Sequence, residues 1–205
     1  MYESVFYENL HAQLIRMIQA GLLTAGIAIA LLTNKGPKNT VEIQSKKDGR
    51  VYKVQNLPDK QEACEKIADI REKLVKLIDF YTSDPSAMAD HRVKTMVKRF
   101  NPDNFSENDL DSDTTSYSEN KGEKIVICIR DKAPPYKFVD ENTTMFVLLH
   151  EMAHLMTTTI GHTPEFWANF KRVLHDAIQC GIYTNVNYSK TPVAYCGMTI
   201  TDSPI

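Results

Sequence analysis

His150-Glu151-Met152-Ala153-His154 sets two imidazoles four residues apart with a carboxylate beside the first. On an α-helix, residues four apart share a face. His150 and His154 can therefore turn their rings toward one ion, and Glu151 can reach a water on it. A third histidine, His162, follows just past Gly161. A catalytic zinc site takes three protein ligands and keeps one position open. The expected metal ligands are His150, His154 and His162, the expected cofactor is Zn2+, and the expected catalytic residue is Glu151. Such an ion lowers the pKa of water from about 15.7 to roughly 7. Glu151 is then the general base, taking that proton and passing it to a leaving amine.

Other candidates near the motif read differently. Glu165 and Asp176 are rival carboxylate ligands, but Glu165 sits where a first-turn acid meets a helix dipole. His91 and His175 read as surface residues. The spacing H-E-x-x-H-x-x-G-x-x-H of metzincins is not matched.

The elements that must position these groups are legible around them. Lys124 to Arg130 is β-branched and apolar, a strand. Asp140 or Asn142 can cap the helix that follows, which carries Phe146, Val147, Leu149, Ala153 and Leu155. Gly161 allows a turn. Thr163-Pro164 then starts a second helix, with Thr as cap and Pro in the first turn. Phe166, Trp167, Phe170, Val173, Leu174 and Ala177 form its inward face. Upstream, Val41, Ile43, Val51 and Val54 alternate with polar residues around Asp48-Gly49, a hairpin signal. Pro58 and Asp59 open a helix whose Ala63, Ile67, Ile70, Leu74, Leu77, Ile78 and Tyr81 recur every three or four residues. A shorter helix carries Val93, Met96, Val97 and Phe100. Asn101 to Asn120 is polar and reads as a long loop, an insert or a flap over the site.

A chain of 205 residues, 42% hydrophobic and 24% charged, has an ordinary globular balance. Its net charge of −2 gives no basic field for nucleic acid. Cys64, Cys128, Cys180 and Cys196 form no C-x-x-C pair. They suggest a reducing compartment, with a Cys180–Cys196 bridge left open. Met17 to Asn34 carries no charge. As a helix it would be about 27 Å long, against a hydrocarbon core of roughly 30 Å. It reads as an N-terminal transmembrane anchor within residues 1–35. Lys35, Lys38, Lys46, Lys47, Arg50 and Lys53 follow it, against Arg16 before it. The positive-inside rule then faces residues 36–205 toward the cytoplasm.

The H-E-x-x-H helix, the third histidine beyond a glycine, and His162-Thr163-Pro164-Glu165-Phe166-Trp167 resemble the WLM and SprT-like (Spartan-like) zinc metalloproteases. Thr115-Ser116-Tyr117, Asn120-Lys121-Gly122-Glu123 and Tyr195-Cys196-Gly197-Met198 are similar to WLM-type proteins of large DNA viruses. The resemblance implies an α+β fold: a minimal zincin-like metalloprotease domain with an active-site helix, a small sheet and supporting helices. Joined to the anchor, the expectation is a membrane-anchored zinc metallopeptidase acting on protein or peptide substrates. The competing expectation is a catalytically inactive zincin-like binding module at a membrane. In zincins the strand before the site helix lines the cleft, which gives that role to residues 124–130. Met198 could underlie the metal, and Tyr188 or Tyr195 could donate to an oxyanion.

Overall fold

Alternation of apolar and polar residues around Asp48-Gly49 becomes a hairpin in the computed structural model, which describes residues 39–205. Strand β1 (Thr40–Gln44) pairs antiparallel with β2 (Val51–Gln55), and Tyr52 and Val54 face the core. The connection is longer than a two-residue turn. Ser45 N–H donates to the Arg50 carbonyl at 2.8 Å, and Gly49 supplies the left-handed residue with φ +71°.

Helix α1 (Lys60–Thr82) buries Ala63, Ile67, Ile70, Leu74, Leu77 and Tyr81, one stripe of its surface, beneath the sheet. Two short helices follow, α2 (Pro85–Ala89) and α3 (His91–Arg99). Asp84 and Asp90 cap them by accepting from Ser86 N–H and Arg92 N–H.

Residues 101–120 are not a plain loop. They contain β3 (Phe105–Glu107) and β4 (Tyr117–Glu119), which complete the sheet with β5 (Lys124–Ile127). The strand order is β1-β2-β3-β5-β4. β3 runs parallel to both of its neighbours, and β4 is an edge strand antiparallel to β5. Polar residues can be buried here because each has a partner. Glu107 accepts from Gln55 N–H at 2.7 Å and from Arg130 Nε at 2.8 Å, and Asn108 Nδ2 donates to the Thr114 and Thr115 carbonyls. Arg130, also fully buried, reaches Asp59 at 2.6 Å and stacks on Phe138, tying the end of β5 to the start of α1.

Helix α4 (Glu141–Met156) is capped by Asp140, whose carboxylate accepts from Thr143 N–H at 2.9 Å. Helix α5 (Pro164–Gln179) is capped by Thr163, with Pro164 in its first turn. The tail forms a separate hairpin of β6 (Val193–Tyr195) and β7 (Met198–Ile200). Both of its turn residues, Cys196 and Gly197, have positive φ, the geometry that matches strand twist in a two-residue turn.

Three expectations are corrected. Cys128 and Cys196 are bridged, rather than all four cysteines standing unpaired or Cys180 pairing with Cys196, and Cys64 and Cys180 are free. The bridge fastens the β6–β7 hairpin to the chain just after β5. The run expected to be a transmembrane helix, residues 17–34, lies outside the described residues. Among those described, no helix is long and apolar enough to cross a membrane. α1 has the length but carries Lys66, Asp69, Arg71, Glu72 and Lys73 in its middle. α4 is the more apolar, but at about 24 Å it is short of the roughly 30 Å hydrocarbon core. The fold class is therefore α+β with no membrane span among the described residues. The membrane-anchored, cytoplasm-facing location is not retained.

The β4–β5 turn meets the end of α4. Arg99 Nη1 donates to the Leu155 and Thr157 carbonyls at 2.8 and 3.0 Å, satisfying acceptors that a helix end leaves free. Gly122, with φ +102°, passes so close that an added Cβ would lie 2.5 Å from the Arg99 carbonyl oxygen. Gly122→Ala should lower stability by about 1–3 kcal/mol, read as a shift in the denaturant midpoint of unfolding.

Candidate metal centre

α4 is buried along Met145, Leu148, Leu149, Met152 and Leu155, which leaves His150, Glu151 and His154 on its partly open side. The chain then reverses. Thr157 Oγ1 donates to the Ala153 carbonyl at 2.7 Å, and Gly161 adopts φ +83°. Glu165 holds the turn by accepting from Thr158 N–H at 3.0 Å and from the Thr158 and Thr159 hydroxyls. These donors, led by Thr158 N–H, hold its carboxyl down to about 2. The clamp brings His162 back over α4.

The three rings converge by the same atom. Nε2 of His150 lies 3.1 Å from Nε2 of His154 and 3.0 Å from Nε2 of His162, and the three ligand atoms all fall within 4.8 Å of one another. Two nitrogens bound to a tetrahedral ion at about 2.0–2.1 Å would stand about 3.3 Å apart, close to these separations. Hydrogen bonding accounts for the cluster poorly. A ring nitrogen is either one donor or one acceptor, yet His150 Nε2 faces two others. Three lone pairs aimed at a shared cation satisfy all of them. Burial, reinforced by the charges His154 and His162 would carry, pushes the His150 imidazole down to about 3. Burial likewise lowers His154. Both are thus held as the neutral rings a metal needs. The donor set fits zinc.

Phe166 is the floor of the cluster. It is fully buried, and its centroid lies 4.7, 4.3 and 4.7 Å from those of His150, His154 and His162. The sequence pattern places Phe166 on the inward face of α5, and Met198 is the residue that could underlie the metal. Met198 instead lies on the β6–β7 hairpin, 48% exposed.

Glu151 reaches β4. Its Oε2 accepts from Ser118 N–H at 3.1 Å and from Ser118 Oγ at 3.2 Å. Burial pushes the Glu151 carboxyl up to about 7, against the pull of those two donors. Ser118 belongs to β4, so the strand beside the site is this sheet edge. The expected strand, β5, is enclosed between β3 and β4. A three-residue polar strand leaves no periodic signal in a sequence.

Two cavities flank the histidines and share Glu151. The larger, about 360 Å³, also touches His150 and His162 and is walled by Phe146, Trp167, Phe170 and Met198. The smaller, about 290 Å³, runs past Tyr117, Ser118, His154 and Ile160. Trp167, expected inward, is instead 36% exposed at the larger one. The remaining candidates lie elsewhere. Asp176 accepts from Tyr81 OH at 2.6 Å, and His91 and His175 are exposed. Tyr195 is buried, donates to the Cys128 carbonyl at 2.8 Å and lies 2.6 Å from Ser116 Oγ. Tyr188 OH donates to Thr143 Oγ1. Neither hydroxyl is free for an oxyanion.

The WLM domain family matches residues 46–194. The uncharacterized protein R325 of Acanthamoeba polyphaga mimivirus is 28% identical over 189 residues, which span 91% of this chain and 95% of that one. The uncharacterized protein 042R of Invertebrate iridescent virus 3 is 43% identical over 72 residues, covering 35% of this chain and 43% of its own. The crystal structure of Wss1 from Saccharomyces cerevisiae aligns with a TM-score of 0.43 at 20% identity, over 62% of this chain and 85% of that one.

His162→Ala should strip most of the zinc from the purified chain in elemental analysis, because two imidazoles from one helix leave the set incomplete. Full retention of zinc would remove His162 from the ligand set.

Proposed function

The chain belongs to the WLM domain family, and on that premise we propose that it is a zincin-like, zinc-dependent metallopeptidase hydrolysing peptide bonds of protein substrates. The observation that carries the reading is the convergence of three Nε2 atoms beside a carboxylate fixed by an edge strand. His150, His154 and His162 would hold the ion. When bound, zinc supplies a Lewis acid that polarises a carbonyl and acidifies water.

The chain's own groups do the rest. Ser118 occupies Oε2 of Glu151 with two donors, which leaves Oε1 to take a proton from the attacking water. Partial burial makes the proton easier to keep, and the same oxygen returns it to the amine as the C–N bond breaks. Phe166 excludes water from beneath the histidines and fixes their rings.

Glu151→Gln should keep its zinc and lose about 10²–10⁴ of its kcat/KM on an unfolded protein substrate such as casein. Activity that survives this change would rule Glu151 out as the base. Ser118→Ala should lower kcat by about tenfold, the scale of one lost hydrogen bond to a charged group, with zinc content unchanged. No hydrolysis by the zinc-loaded parent would leave a metal-binding module and reject the peptidase reading.

A further inference from the structure

Asn169 is the one polar residue on the buried face of α5, set among Phe166, Phe170 and Val173 with no exposed surface. An amide there loses its hydration and must be bonded from both sides. Nδ2 donates to Thr157 Oγ1 at 3.0 Å, and Oδ1 accepts from Arg92 Nη1 at 3.1 Å. Thr157, also buried, is where α4 ends. Its ψ of 139° leaves the helix, and its hydroxyl turns back to the carbonyl of Ala153, the residue before His154. A single Thr157 oxygen thus accepts from α5 and donates to α4. Arg92 belongs to α3 and is itself held by Asp90, which also accepts from Arg172 Nη1 at 2.6 Å.

The histidine cluster is drawn from two parts of the chain. α4 brings His150 and His154, and the stretch from Thr157 to Asn169 brings His162. Thr158 to His162 are exposed, so burial does little to place them. Glu165 bonds Thr158 and Thr159, which fixes the shape of the turn but not where it stands against α4. Phe166 stacks on His154 with 4.3 Å between centroids, but stacked rings can slide. A hydrogen bond fixes both length and direction, and Asn169 makes one, buried, from α5 to the end of α4.

We propose that Asn169 is a positioning residue of the metal centre: through the Thr157 hydroxyl it sets the spacing between α4 and the start of α5, and so holds His162 where it can share an ion with His150 and His154. The proposal rests on the metal-centre reading above and adds a residue that touches neither ion nor substrate. Its effect is to bring the donors together in advance, so that less of the binding energy of zinc is spent on ordering the turn.

The test is the zinc dissociation constant of the full chain, read by competition with a chromophoric chelator, beside the denaturant midpoint of each variant. Asn169→Leu keeps the volume and loses both bonds. It should weaken zinc binding about tenfold, the scale on which groups that support metal ligands act. Thr157→Val, which removes only the hydroxyl, should do the same, and Thr157→Ser should recover most of the parent's affinity. Arg172→Met cuts the far end of the same network, and it should lower the midpoint while leaving zinc affinity at the parent's. Parental affinity in either Asn169→Leu or Thr157→Val, or no recovery in Thr157→Ser, overturns the proposal and leaves the metal centre standing. So does a loss in Arg172→Met as large as in Asn169→Leu, because the effect is then one of general stability. If Asn169→Leu does not fold, the Thr157→Val and Thr157→Ser pair decides alone. A parent chain that binds no zinc overturns the metal centre and this proposal together.

Discussion

Bringing imidazole nitrogens together away from water costs their hydration, and hydrogen bonds among three converging acceptors cannot recover it. The surrounding structure is arranged to bear that cost. α4 supplies two rings at fixed spacing, the Glu165-clamped turn supplies the third, and Phe166 closes the space beneath them. Each part answers a separate freedom: helix pitch, loop direction, ring rotation. Burial and crowding keep the His150 and His154 rings neutral, which is the protonation state in which their lone pairs are available.

Glu151 is held by a different part of the fold. Its partner Ser118 lies on a strand of three residues whose place depends on β5, which in turn depends on buried polar contacts among Glu107, Gln55, Asn108 and Arg130. A polar cluster at one end of the sheet thus supports a carboxylate at its other edge. A free carboxylate on α4 could rotate. One whose Oε2 takes two donors from a fixed strand presents its remaining oxygen in one direction.

The local parts of the site were legible in the sequence. Helical spacing, Gly161, and the Thr163-Pro164 start are short-range rules, and His150, His154 and His162 follow from them. The non-local parts were not. β3 and β4 are too short and polar to show periodicity, and Glu107 is buried against Gln55 and Arg130, partners far away in the chain. Cysteine pairing is a matter of three-dimensional proximity, so Cys128 and Cys196 could not be chosen from spacing. Phe166 looked like any core aromatic until its three imidazole neighbours were placed. An uncharged run near the N-terminus suggested a membrane span, but no helix of the described residues has both the length and the apolar surface.

The distances along the chain give the site two different assembly histories. His150 and His162 are twelve residues apart, whereas Ser118 precedes Glu151 by 33 and Arg99 precedes the Leu155 carbonyl it caps by 56. Short loops close at lower entropic cost than long ones, and contacts between distant residues form later in folding. The histidines can therefore meet on one helix and one turn before the sheet has docked. The carboxylate acquires its orientation only when the rest of the domain is in place, which separates the formation of a donor cluster from the formation of a competent site.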